Sequence, residues 1–142
     1  MCKTDKLEKM MKACLEEANG FFEVANTINS AMYLNPYFVN YSFCCELYFK
    51  ALMMKTSIDG KYEKGHDLLI LFNALPENER KDILRQFSAV SSVDLLKFLK
   101  EECRAFENWR YEFEKKELFG NITTFQKLSD VLHAYVNDKF DS

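Results

Sequence analysis

Helix-breaking residues are scarce in this chain, which has 4 Gly and 2 Pro in 142 residues. So few interruptions leave room for long helices and argue against a many-turned β sandwich. Histidine is equally sparse, with 2 residues, and the 5 cysteines (Cys2, Cys14, Cys44, Cys45, Cys103) include no Cys-x-x-Cys pair. A zinc site or dithiol redox centre therefore has no ligand set, and the cysteines read as reduced thiols filling a core. No basic excess exists either: 19 Lys+Arg stand against 22 Asp+Glu, for a net charge of −3. A surface of that balance does not hold a phosphate backbone diffusely, so DNA is not an expected partner.

The residues after Met1 contain no apolar signal core, and no run spans a bilayer, so the expectation is a cytoplasmic protein without membrane contact. Glycine-rich phosphate loops, Gly-x-Ser-x-Gly elbows and His-Glu-x-x-His helices are all missing, which removes the ordinary hydrolase and metalloenzyme readings and implies no cofactor or metal. Asn121-Ile122-Thr123 matches a glycosylation acceptor only by chance in an intracellular chain.

What is present is apolar and aromatic: 48% hydrophobic residues, with 13 Phe and 7 Tyr. Leu7, Met11, Cys14, Ala18, Phe21, Ala25, Ile28 and Met32 recur at steps of three and four, predicting a helix that Thr4 or Asp5 caps. Asn35-Pro36 marks a break, and Tyr37 to Lys55 is apolar on nearly every face, as in a helix surrounded by neighbours. Ile58 to Lys61 reads as a turn.

After Gly65 a short helix follows, capped by Asp67, and Pro76 ends it and opens another, with Glu77 and Glu79 in the first turn and Ile83, Leu84 and Phe87 inward. Ser91-x-x-Asp94 has capping-box form ahead of the stripe Leu96, Leu99, Cys103, Phe106, Arg110, Phe113. A last helix after Gly120-Asn121, capped at Thr123, puts Phe125, Leu128, Val131, Leu132 and Tyr135 on one side. These patterns predict an all-α fold, an up-and-down bundle of four to six helices, in one domain covering residues 1–142.

Few residues suggest chemistry. Glu46 and Lys50 stand one turn apart in an apolar helix, where a charge must be paired or solvated; a surface i,i+4 pair is the plainer reading. His66-Asp67 reads as a turn and a cap, or as a ligand or base pair. His133 falls off the apolar stripe and is expected in solvent. Arg110 lies on the inward stripe and requires a carboxylate, Glu46 first or Asp67 second, or else a ligand phosphate.

Three segments in order, Cys45-Glu46-Leu47-Tyr48-Phe49-Lys50-Ala51-Leu52, Gly65-His66-Asp67-Leu68-Leu69-Ile70-Leu71-Phe72 and Phe106-Glu107-Asn108-Trp109-Arg110-Tyr111, resemble the HEPN (higher eukaryotes and prokaryotes nucleotide-binding) family. The resemblance implies a HEPN-like bundle, frequently a homodimer, in which Glu46, Lys50, His66, Asp67 and Arg110 approach one another as a ligand-binding cluster.

Many members are ribonucleases of toxin or antiphage systems that carry an arginine, a polar residue, three variable positions and a histidine. Here, counting from Arg110, Tyr111 takes the polar slot and Lys115 the histidine slot. A lysine, titrating near 10.4, is a poor general base at neutral pH beside a histidine near 6.5. The expected function is accordingly a non-catalytic module that binds a nucleotide, an RNA or a partner protein, with no catalytic residue assigned. The alternatives are a metal-independent ribonuclease in which His66 substitutes for the missing histidine, and a purely structural dimer.

Overall fold

The computed structural model describes residues 3–28, 34–57, 62–102 and 118–141. Among them the elements are all helices: α1 (Lys3–Thr27), α2 (Leu34–Thr56), α3 (Leu68–Asn73), α4 (Glu77–Ser88), α5 (Leu95–Glu101) and α6 (Leu118–Asp141). No described helix is long and apolar enough to cross a membrane.

The centre is α2. Tyr41, Cys44, Cys45, Tyr48, Phe49, Ala51, Leu52, Met53 and Met54 are all buried, so apolar surface faces outward from nearly its whole circumference and every side needs a neighbour. It packs along α1 and α6 and carries α3, while α5 rests on α3 and α4 on α6. Aromatic rings meet edge-on between helices, Phe49 of α2 against Phe72 of α3 at 5.8 Å and Phe98 of α5 against Phe125 of α6 at 4.8 Å, the geometry ring quadrupoles favour.

Helix termini depart from the sequence reading in four places. α1 already runs from Lys3, so Thr4 and Asp5 lie in its first turn and do not cap it. Pro36 falls in the first turn of α2, where a missing backbone N–H costs nothing. Asp94, not Ser91, caps α5, its Oδ1 accepting from the Lys97 amide at 3.3 Å, while Ser91 Oγ accepts from the Val93 amide. α6 begins at Leu118 and passes through Gly120 and Asn121, so Thr123 does not cap it.

The inward face of α5 is also corrected. Leu95, Phe98 and Leu99 are buried, whereas Leu96 is 44% exposed. The continuation of that stripe through Cys103, Phe106, Arg110 and Phe113, and the Ile58–Lys61 turn, lie outside the described residues.

Candidate functional site

Glu46 and Lys50 share a face of α2 by their four-residue spacing, and the fold buries that face. Glu46 is only 2% exposed, Lys50 13%, and the Lys50 ammonium donates to Glu46 Oε2 at 3.2 Å. This is not the solvent-screened pair of a helix surface, because a carboxylate so buried is tolerated only with partners.

Its second partner arrives from the loop between α2 and α3. His66 Nδ1 lies 2.9 Å from Glu46 Oε1 and 3.0 Å from Oε2. Facing two carboxylate oxygens, Nδ1 is the ring nitrogen that donates, and Nε2 is turned away from Glu46.

Gly65 makes that approach possible. Its φ of +111° lies in the left-handed region where a Cβ is strained, and the turn there delivers His66 back to α2. Asp67 comes next and serves the backbone: Oδ1 accepts from the amides of Leu69 at 3.0 Å and Ile70 at 3.1 Å, capping α3. Of the five sequence candidates the structure thus brings together Glu46, Lys50 and His66, spends Asp67 on a cap beside them, and does not describe Arg110.

Two openings flank the cluster. Beyond His66 and Asp67, a polar cleft of about 310 Å³ is lined by Glu63, Lys64 and Ile70. On the Lys50 side a groove of about 310 Å³ runs between α1 and α2, with Met10, Cys14 and Glu17 on one wall, Leu47 and Met54 on the other, and Tyr62 completing it. Nothing in the sequence reading pointed to this groove, although Cys14 was placed on the inward stripe of α1. Its thiol donates to the Leu47 carbonyl at 3.4 Å. Burial pushes that thiol up to about 11, against which the Lys50 charge pulls down and Glu17 and Glu46 push up.

A second polar group was missed entirely. His133 is not in open solvent: its ring stacks on Phe22 with centroids 4.2 Å apart, and Nδ1 sits 2.8 Å from the Tyr48 hydroxyl. Tyr48 donates its one proton to Asn19 Oδ1 at 2.6 Å, so His133 Nδ1 is the donor to the Tyr48 oxygen. Asn137 gives its two amide hydrogens to Asn19 Oδ1 at 2.9 Å and to the His133 carbonyl at 2.7 Å, and Asn19 answers with a bond to Asn137 Oδ1 at 3.0 Å. This network joins α1, α2 and α6. Burial pushes the Tyr48 hydroxyl far above its ordinary range, with the Cys44 and Cys45 thiols adding to the effect.

Glu79, expected only to face the first-turn dipole of α4, is buried and accepts from the Tyr135 hydroxyl while pairing with Lys139 at 3.2 Å. Asp82 stands 3.2 Å from the same hydroxyl. Among the described residues no group of His, Cys, Asp and Glu is arranged to hold a metal ion. No family model, curated protein or solved structure matches the chain.

Proposed function

We propose that the protein is a non-catalytic HEPN-like binding module whose Glu46–Lys50–His66 cluster receives an anionic group, from a nucleotide, an RNA or a partner protein. One observation carries this reading: a buried carboxylate draws a cation and an imidazole from two different elements, and each of these borders an opening. A cluster serving stability alone needs no such access. Glu46 here acts as the fixed orienting group, and the Lys50 ammonium, with one of its three hydrogens on Glu46, keeps donor capacity toward the groove.

The test is a thermal-shift and calorimetric series with AMP, ATP and a short single-stranded RNA on wild type and on Lys50→Met. Saturable binding lost in the variant supports the reading; absence of binding to all three, with nothing co-purifying from a native preparation, overturns it. Light scattering of the same preparation tests the homodimer that the family resemblance implies.

The Glu46–His66 pair also favours the ribonuclease alternative, since a carboxylate holding Nδ1 fixes the orientation of the ring and turns Nε2 away from Glu46. Metal-independent RNA cleavage abolished by His66→Ala would decide for it. Intact RNA after prolonged incubation would remove it.

A further inference from the structure

We propose that the groove between α1 and α2 binds a free amino acid with a large apolar side chain, its carboxylate on Lys50 and Tyr62, its ammonium on Glu17, and its side chain among Met10, Leu47 and Met54. The proposal rests on one part of the proposed function, that Lys50 receives an anionic group, and puts a free amino acid in place of the nucleotide, RNA or partner protein as its carrier.

The argument is one of unused capacity and charge. Among the described residues Lys50 makes a single hydrogen bond, to Glu46, and neither the Tyr62 hydroxyl nor the Glu17 carboxylate has a partner. All three line one groove. Two of these residues carry donors, Lys50 being 13% exposed and Tyr62 half-buried, and the third is an acceptor on an exposed residue. Lys50 and Glu17 exert opposite effects on the Cys14 thiol of the same groove, which places both charges near it.

A polyphosphate does not suit this charge pattern. One cation, already neutralised by Glu46, would face it, and Glu17 would repel it at the mouth. A purely apolar ligand would cover Lys50 and Tyr62 without pairing them, which is costly. An amine alone would satisfy Glu17 and leave the two donors unmatched. A zwitterion meets each polar group with its complement and adds no net charge. Its apolar body meets two thioethers and a leucine, flexible and polarizable surface that adapts to a bulky side chain. The groove's volume of about 310 Å³ lies at the lower end of the range that holds small ligands.

The experiment is isothermal calorimetry with four probes: phenylalanine, N-acetylphenylalanine, phenethylamine and AMP. Phenylalanine should bind, and the two analogues, each lacking one charge, should bind about tenfold or more weakly, the loss expected for a missing charge-assisted hydrogen bond. Glu17→Gln should erase the preference for phenylalanine over its N-acetyl form, and Lys50→Met the preference over phenethylamine. Ala13→Phe, which fills the groove without touching either charge, should abolish binding; folding of each variant is checked by its dichroism spectrum. AMP binding that depends on Lys50, with no phenylalanine binding, would overturn this proposal and leave the proposed function standing. No binding of either probe would overturn this proposal, and the proposed function falls with it only when ATP and the short RNA also fail to bind and nothing co-purifies. Phenylalanine binding unchanged by Glu17→Gln would refute the role given to that carboxylate and with it the ligand class.

Discussion

Removing Lys50 tests the buried cluster most directly. Lys50→Met keeps the length and apolar stem of the side chain, so packing changes little, but it takes away the cation bonded to Glu46 Oε2. Glu46 is 2% exposed and retains only His66, itself 43% exposed and therefore easily drawn into solvent. Stranding a fully buried charge costs about 3–5 kcal/mol. The surviving imidazole contact and the adjoining groove reduce this, and we expect roughly 2–3 kcal/mol. For a chain of this size that is a fall in Tm on the order of 5–10 °C. Glu46→Gln should cost less, about 1 kcal/mol, because the amide oxygen still accepts from both partners and Lys50 can reach groove water. In Glu46→Leu with Lys50→Met both charges vanish, and the double variant should be more stable than Lys50→Met alone. Urea denaturation followed by dichroism measures these proteins and Glu46→Leu alone, which completes the double-mutant cycle. A Lys50→Met variant within 0.5 kcal/mol of wild type, or a strictly additive double variant, would mean that Glu46 is solvated in the folded protein and that the cluster is an ordinary surface pair.

Tyr48→Phe should cost about 1–3 kcal/mol, since it deprives both His133 Nδ1 and Asn19 Oδ1 of a partner at a half-buried joint; equal denaturation midpoints would place that joint in solvent. Cys14 should react slowly with iodoacetamide at pH 8, because burial holds its thiol near 11 instead of the ordinary 9.0; the rate should rise as pH climbs through that range, and fast alkylation of the native protein at pH 8 would contradict the packing of the groove. The linked effect on stability has a definite sign: the unfolded thiol ionises first, so the contribution is intact below pH 9 and is lost as pH rises toward 11. Asp67→Ala should cost about 1 kcal/mol through the α3 cap, and its effect should be matched by Asp67→Leu but reduced in Asp67→Ser, which caps as well.

Periodicity located most of the helices because each has one strong demand on its sequence. The apolar circumference of α2 needed neighbours on all sides, and it has them. Errors arose where two registers fitted equally well or where packing overrode local preference. On α5 the series from Leu95 and the series from Leu96 both advance by three and four, and reading the cap at Ser91 favoured the wrong one; the cap at Asp94 turns Leu95 inward. Gly120 and Asn121 signal a helix start, yet α6 runs through them, which costs about 1 kcal/mol for the glycine and is offset by burial along the rest of the helix. The cluster was legible in part. Four-residue spacing pairs Glu46 with Lys50, but spacing alone does not bring a loop histidine 20 positions away onto the same carboxylate; only the resemblance to an ordered set of segments puts His66 beside them. His133 was misread because α6 contacts α1, α2 and α4, so its buried arc is wider than a single stripe.

The two polar clusters share a cause in the position of α2. A helix buried around nearly its whole circumference has little solvent face on which to leave polar groups, so most of those it carries must be matched by a neighbouring element. Glu46 and Lys50 point one way and are met by His66; Tyr48, two residues from each and so near the opposite face, is met by Asn19 from α1 and by His133 from α6. The difference between the clusters lies in what borders them. Tyr48 has its hydrogen bonds completed by protein on both sides, and Asn137 spends both amide hydrogens within the same joint, which suits a group whose work is to fix three long helices in register. Lys50 ends at a groove with hydrogens to spare. Of the polar groups on α2, it is Lys50 whose removal should separate stability from binding: the double variant with Glu46→Leu restores the fold but not the donor, so a protein that regains its denaturation midpoint while failing to bind the anionic group would assign Lys50 to the ligand, and one that regains both would return it to the architecture.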